Sequence, residues 1–178
     1  ALGSIALHAI PFATSVGFVR SVAAAGMGIN GLGNLTSKTI WGWGLQRFNP
    51  RRLAGIAFCT SATGVLIMVL ASSLQNTAVL MLGFFLYGFG FGGTIPISEF
   101  IWGRYFGRRH IASIRGLGRP VTIIFGMAGP IGTGFWFDIT GSYVLAFLML
   151  SCVYIIGAVV VNISKVPKPI QEDNIEGL

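Results

Sequence analysis

Three polar residues recur at every fourth position within a mostly apolar stretch: Asn30, Asn34 and Lys38. In an α-helix of ~3.6 residues per turn they would share one face, drifting by ~40° at each step. Lys38 would lie ~13 Å along that helix from Arg47, at ~1.5 Å per residue. If the helix crosses a membrane, a cation at this depth is costly and is typical of a substrate path or a proton relay.

We therefore predict that Lys38 neutralises the carboxylate of an anionic substrate, with Asn30 and Asn34 as its hydrogen-bond partners. The alternative is that the flexible lysine stem carries its ammonium to the membrane surface, where no ligand is needed. The sequence leaves both interpretations open.

A second group of residues combines one acid with several arginines. Glu99 is the only acidic residue in 1–137, and Arg104 and Arg108 follow it closely. Because a lone carboxylate at a membrane edge is costly unless it is paired, we expect Glu99 to pair with Arg47, Arg104 or Arg108. Such a pair is either a latch that breaks when the protein changes conformation or a permanent structural ion pair.

Few residues are suited to catalysis or to metal binding. The chain has two histidines and two cysteines, without the spacing of a zinc site and without a glycine-rich nucleotide-binding loop. His8 could titrate during proton coupling or simply pack at an interface. Cys59 and Cys152 are expected to be packed as small hydrophobic side chains. We predict no enzymatic activity, no metal and no cofactor.

The composition indicates what kind of element positions these residues. The chain is 53% hydrophobic and only 10% charged, whereas a soluble domain carries about 25% charged residues. A spanning helix needs roughly 20 mostly apolar residues, and long intervals of the chain contain no charge. We predict an all-α membrane bundle of about five and a half helices. The predicted helices lie near 1–13 (incomplete), 21–46, 53–72, 78–103, 119–138 and 143–163.

Two further patterns support this interpretation. A polar cluster at 72–77 separates the third predicted helix from the fourth, as a turn does. No interval alternates apolar and polar residues in the way that a membrane-barrel strand requires.

The basic residues fall almost entirely in alternate connections between the predicted helices. The net charge is +7, and ten of the twelve basic residues lie on one side. They are Arg47, Arg51, Arg52, Arg104, Arg108, Arg109, Arg115, Arg119, Lys165 and Lys168. The positive-inside rule places this side, and with it the C-terminus, in the cytoplasm. We expect these residues to contact lipid headgroups as well, and we expect no nucleic-acid partner.

The chain opens with Ala and an apolar run without a flank. We expect the sequence to be a fragment that begins inside a helix. Residues 1–163 would then form the membrane unit, and residues 164–178 a short cytoplasmic tail.

The turn after the second predicted helix resembles a known signature. The major facilitator superfamily carries Gly-x-x-x-Asp-Arg-x-Gly-x-Arg-Arg at such a turn. Four positions of this chain match it: Gly42, Arg47, Arg51 and Arg52. Gln46 replaces the acid and Asn49 replaces the second glycine.

Three further features are similar to the same superfamily. The stretch 105–109 resembles the Tyr-Phe-Gly-Arg-Arg of bacterial monocarboxylate-type facilitators. Gly129 and Pro130 resemble the Gly-Pro motif through which facilitator helices pack. Lys38 stands where monocarboxylate and oxalate-type facilitators place a basic residue.

The resemblance implies the second half of a twelve-helix facilitator in a bacterial inner membrane, working with an N-terminal half of the same transporter. It implies secondary active transport of a small organic anion, such as a monocarboxylate, by alternating access. The signature residues, together with Glu99, Arg104 and Arg108, would form a cytoplasmic gate. The alternative is a membrane sensor or binding protein that has kept the fold but carries no cargo.

Overall fold

The computed structural model describes residues 2–106 and 111–164, over which the chain forms six α-helices and no strand. The helices are α1 (Leu2–Ser15), α2 (Arg20–Arg47), α3 (Pro50–Leu74), α4 (Thr77–Phe106), α5 (Ile111–Thr140) and α6 (Val144–Ile163). The predicted all-α class is therefore confirmed. Arg108 and residues 165–178 of the predicted tail lie outside the described residues.

Among the residues that the structure describes, three helices are long and apolar enough to cross a membrane. They are Pro50–Leu74, Thr77–Arg104 and Val144–Ile163, which correspond to three of the predicted spans. The helix predicted at 21–46 is present as α2, but it is not among the three although it has 28 residues. Glycines, two asparagines and Lys38 lower its hydropathy, so the composition of α2 does not by itself identify it as a membrane span.

The fifth helix begins earlier than the charge pattern predicts. α5 starts at Ile111, eight residues before the predicted start at 119. The prediction took the start of the helix from the charge-free interval 120–137, which Arg119 precedes. A charged residue does not end a helix, however, because the backbone hydrogen bonds continue through it.

The polar cluster at 72–77 forms the turn between α3 and α4, as predicted. Gln75 adopts a left-handed backbone with φ of 49°, which ends α3. The Oδ1 of Asn76 accepts a hydrogen bond from the backbone N–H of Ala78 at 2.9 Å. This side-chain cap satisfies one of the free amides at the start of α4.

α4 lies between α2 and α3 and packs closely against both. Its glycines divide between the two contacts. A Cβ placed on Gly88 would overlap the backbone oxygen of Asn30 on α2, and one on Gly90 would meet the backbone of Ser61 on α3. Small residues allow this close approach in a membrane, where packing replaces the hydrophobic effect between helices. α4 thereby fixes the position of α2.

The remaining helices close the bundle through aromatic packing. Phe12 of α1 stacks on Phe147 of α6 with ring centroids 4.2 Å apart, and both side chains are fully buried. α3 packs against α6, and α1 packs against α5.

The outer surfaces of α3 and α6 are apolar. Ile56 and Leu70 on α3 and Ile156 on α6 are all more than half exposed, and lipid contacts such a surface in a bilayer. Cys59 and Cys152 are free and exposed on the same helices. The expectation that these two cysteines are packed inside is therefore wrong. A thiol is only weakly polar, so facing lipid costs it little.

Candidate functional site

Lys38 lies on a stripe of α2 whose members are three or four residues apart and thus share one helix face. The stripe consists of Gly28, Gly31, Leu35, Lys38 and Gly42, and we call it the glycine face. Leu35 and Lys38 are exposed. A Cβ built on any of the three glycines would meet no atom within 4 Å. The glycines therefore leave the helix backbone open on both sides of the lysine.

The ammonium of Lys38 has no counter-charge in the part of the chain that the structure describes. Within that part it makes no hydrogen bond and no ion pair. The side chain is thus a positive charge on an open surface, available to a group that is not part of these helices.

Asn30 and Asn34 lie at the contact between α2 and α4 instead of on the glycine face. The Nδ2 of Asn30 donates a hydrogen bond to the carbonyl oxygen of Phe84 at 3.3 Å. The backbone of Asn34 approaches Gly92 of α4 so closely that a Cβ on this glycine would overlap it. The drift of ~40° per four residues reaches ~80° between Asn30 and Lys38, which explains the separation. A role for the two asparagines in substrate binding stays a prediction.

The turn between α2 and α3 is tied to the end of α6 by Arg51. The Nε of Arg51 donates to the carbonyl oxygen of Val161 at 3.2 Å, and its Nη2 donates to that of Asn162 at 3.0 Å. Carbonyls in the last turn of a helix lack intrahelical partners, and a cation is favourable there. The Oδ1 of Asn49 accepts from the backbone N–H of Arg51 at 3.0 Å and caps α3. Asn49 thus serves this turn where the signature has glycine.

The other two arginines of the turn have different surroundings. The guanidinium of Arg47 lies over the indole ring of Trp43, 4.7 Å from its centroid, in a cation–π contact. Arg52 is exposed and makes no hydrogen bond or ion pair within the described residues. Gly42, the first residue of the signature, belongs to the glycine face.

The comparison with known families decides what this helix bundle is. The family model of the Major Facilitator Superfamily matches residues 2–177, nearly the whole chain. The chain belongs to this superfamily. No curated protein matches the chain, and no solved structure matches it. The family match supports a membrane transporter in general. It also confirms, at the level of the superfamily, the resemblance that was based on the turn after α2.

The acidic residue of the predicted gate, Glu99, lies near the end of α4. Glu99 is exposed on this helix, and Arg104 is exposed in its last turn. Arg108 lies outside the described residues. The pairing of Glu99 with Arg47, Arg104 or Arg108 therefore stays a prediction, as does the latch.

The Gly129-Pro130 pair of the facilitator lies where α5 meets α1. The Nε2 of His8 on α1 is 3.1 Å from the carbonyl oxygen of Pro130. The imidazole is also 5.5 Å from the ring of Tyr143, measured between centroids. His8 is half-buried and packs between α5 and the start of α6, at the position of the Gly-Pro motif.

Two residues near Lys38 on the glycine face were not predicted from the sequence to belong to the site. Gly28 and Leu35 became part of the site only when the structure showed which side of α2 faces away from α4. Counting back from Lys38 in steps of three and four, to 35, 31 and 28, would have found them. Nothing in the sequence says, however, which of the several faces of α2 is free.

Proposed function

We propose that this chain is the C-terminal half of a secondary transporter that moves a small organic anion, such as a monocarboxylate, by alternating access. The observation that carries the proposal is the exposed ammonium of Lys38 on the glycine face. Within the described residues it has no counter-charge.

The depth of Lys38 favours an anionic ligand. α2 runs without a break from Arg20 to Arg47, so Lys38 is ~13 Å from the end of the helix. A lysine near the centre of a membrane helix costs ~2.5 kcal/mol or more unless water or a counter-charge is present. The carboxylate of a solute supplies the counter-charge, and the neighbouring glycines allow the rest of the solute to approach the backbone.

The polarity of α2 supports a solute path beside this helix instead of direct contact with lipid. With 28 residues α2 is long enough to cross a membrane, but it is less apolar than the three helices whose composition alone identifies them as membrane spans. Polar and charged residues of membrane bundles usually face the interior or a water-filled cavity. We propose that the glycine face borders such a cavity, and that the N-terminal half of the transporter supplies the opposite wall.

Asn30 would take part only after a rearrangement. Its amide is bonded to α4 in this conformation, so α2 and α4 would have to separate before Asn30 could reach the solute. Asn34 is half-buried and closer to Lys38 along the helix, which makes it the better candidate for a second contact.

A gate at one end of the path completes alternating access. We place it on the cytoplasmic side of a bacterial inner membrane, where the arginine-rich turns and the C-terminus lie under the positive-inside rule. The proposed gate residues are Gly42, Arg47, Arg51, Arg52, Glu99, Arg104 and Arg108. Because Arg51 is bonded to the end of α6, it would anchor the turn while Glu99 and its partner open and close.

The decisive experiment is flux of a labelled monocarboxylate into vesicles that contain the full-length protein. We expect saturable uptake that a second monocarboxylate inhibits and that dicarboxylates and sugars do not. Binding of the monocarboxylate without uptake would show that the protein is a membrane sensor or binding protein and not a transporter. Uptake of a neutral or cationic solute with no effect of monocarboxylates would refute the anionic substrate.

A further inference from the structure

Arg52 stands where two surface grooves meet. The longer groove, of about 640 Å³, runs along α3 from Arg52 past Ile56 and Cys59 to Thr63. The shorter one, of about 470 Å³, lies at the turn between α2 and α3 and includes Trp43. Arg52 and Ile56 line both grooves. The surface thus has one charged end and a long apolar extension.

We propose that this surface binds one anionic phospholipid, with the phosphate of the headgroup at Arg52 and an acyl chain along α3. The occupant comes from the leaflet that contains the turn between α2 and α3. The inference concerns a regulatory or structural lipid and does not depend on the solute that the protein carries.

The dimensions of the longer groove fit a lipid. α3 qualifies as a membrane span over Pro50–Leu74, so Arg52 lies at its end, at headgroup level. The eleven residue steps from Arg52 to Thr63 cover ~16 Å of helix. Half of a ~30 Å hydrocarbon core is ~15 Å. The groove therefore extends about as far as one acyl chain does within one leaflet.

The charge of the surface selects an anion. Arg51 is bonded to the end of α6 and Arg47 lies over Trp43, whereas Arg52 makes no hydrogen bond or ion pair within the described part of the chain. None of the described residues that line the two grooves is acidic. Basic pockets between membrane helices on such a face are suited to anionic headgroups.

The apolar neighbours select an amphiphile over a free anion. Ile56 is 55% exposed and Phe48 is 57% exposed, and both line the groove at the turn, with Trp43 beside them. Inorganic phosphate bound at Arg52 would leave these side chains uncovered. A phospholipid covers them with its glycerol region and chains, and a tryptophan at the membrane interface is a common anchor.

Fluorescence quenching in the full-length protein tests the proposal. The protein is placed in phosphatidylcholine vesicles that contain brominated phosphatidylglycerol or, in parallel, brominated phosphatidylcholine. The signal of Trp43 is isolated by subtracting a Trp43→Phe variant. We expect phosphatidylglycerol to occupy the site about fivefold more strongly than phosphatidylcholine, which is the ratio that ~1 kcal/mol for one arginine gives.

Three variants decide the origin of that preference. Arg52→Gln should lower the ratio to about one, and Arg52→Lys should keep most of it. Arg20→Gln removes a cation from the predicted opposite side and should leave the ratio unchanged. A ratio near one in the parent protein, or a ratio that Arg52→Gln does not lower, would overturn the proposal.

Competition and steric filling distinguish a bound phospholipid from a soluble anion held at Arg52. Millimolar inorganic phosphate should not reduce the quenching, and full competition by phosphate would make this a site for a soluble anion. Cys59→Phe fills the longer groove without changing charge and should weaken the quenching by both brominated lipids. If Arg52→Gln protein cannot be recovered, unchanged quenching by both lipids in Cys59→Phe refutes a lipid chain along α3.

Discussion

α2 and α3 are neighbours of similar length that both pack on α4, yet their outer faces differ. On α3 the exposed side chains include Ile56, Leu66 and Leu70, and the helix is apolar enough to cross a membrane. On α2 the glycine face carries glycines and Lys38 beside one exposed leucine, Leu35, and the helix as a whole is less apolar than α3. The difference fits the proposal that lipid surrounds the outside of α3, while the glycine face of α2 borders a polar cavity.

The glycines of α2 show the same contrast within one helix. Gly33 touches the backbone of α4, where no side chain has room, whereas Gly31 has open space around it. One glycine is required by packing inside this chain, and the other is not. Packing within the described helices therefore does not account for glycine at position 31, and we propose that the transported solute passes close to it.

The largest effect is expected from filling a close helix contact. A Cβ on Gly88 would overlap the backbone of Asn30, and a backbone cannot move aside as a flexible side chain can. We expect Gly88→Ala to cost more than ~3 kcal/mol, the upper end for overpacking, and to reduce the yield of folded protein severely. Thermal unfolding in detergent measures it. Gly31→Ala is the matched control and should unfold close to the parent temperature; equal loss in both variants would contradict the two classes of glycine.

A lysine placed on each outer face tests the comparison directly. Leu66 on α3 is 40% exposed and Leu35 on α2 is 64% exposed. Leu66→Lys should destabilise the protein by ~3 kcal/mol, the cost of a lysine in a lipid-facing helix centre. Leu35→Lys should cost less than half as much, because its face borders a polar path. The unfolding midpoints of the two variants provide the measurement, and a larger cost for Leu35→Lys would reverse the assignment of the faces.

Removing the cation of the glycine face should impair transport without impairing folding. A hydrogen bond to a charged group contributes ~1.5–3 kcal/mol, so Lys38→Ala should raise the KM for the anion about tenfold or more. The unfolding temperature should stay unchanged, because Lys38 makes no hydrogen bond or ion pair with the described residues that would be lost. Lys38→Arg should retain part of the uptake. Parent-like KM and uptake in Lys38→Ala would leave the lysine as a side chain that merely reaches the membrane surface.

The smallest effect is expected at the turn that joins α3 to α6. Arg51→Gln removes two hydrogen bonds to the last carbonyls of α6 and should cost ~1 kcal/mol, since the exposed carbonyls can turn to water. Arg52→Gln changes the same charge without losing a bond and should cost less than ~0.5 kcal/mol. Denaturation of both variants side by side checks this order, and a larger loss for Arg52→Gln would show that Arg52 has a structural role.

The residues near Lys38 show how far the sequence could be interpreted. The apolar, mostly uncharged interval around Lys38 correctly predicted one long helix, and the four-residue spacing placed Asn30, Asn34 and Lys38 near one face of it. The spacing could not predict that this helix turns the asparagines toward α4 and the lysine away from it. Residues four apart point in directions that differ by ~40° around the helix axis. The sequence pattern still shows them as one face, but at a helix contact this rotation separates covered from exposed side chains. The position of the neighbouring helix determines which of them is covered.

The charged turns show the same limit. The spacing of Arg47, Arg51 and Arg52 was sufficient to predict a basic turn of the facilitator type. The three side chains nevertheless have different partners: an indole ring, the end of α6, and no protein group among the described residues. Residues of one type in one short motif cannot be distinguished before distant segments such as Val161 are placed beside them.

Composition and the positions of the charged residues were sufficient to indicate a helical protein in a lipid bilayer and to place most helix ends. Each of these features depends on the local free energy of transfer into lipid or on hydrogen bonds within one stretch of backbone. The tertiary structure decided which face of each helix is free. That choice depends on contacts between residues far apart in the chain, such as Gly88 with Asn30, where the absence of a single methyl group permits two backbones to meet.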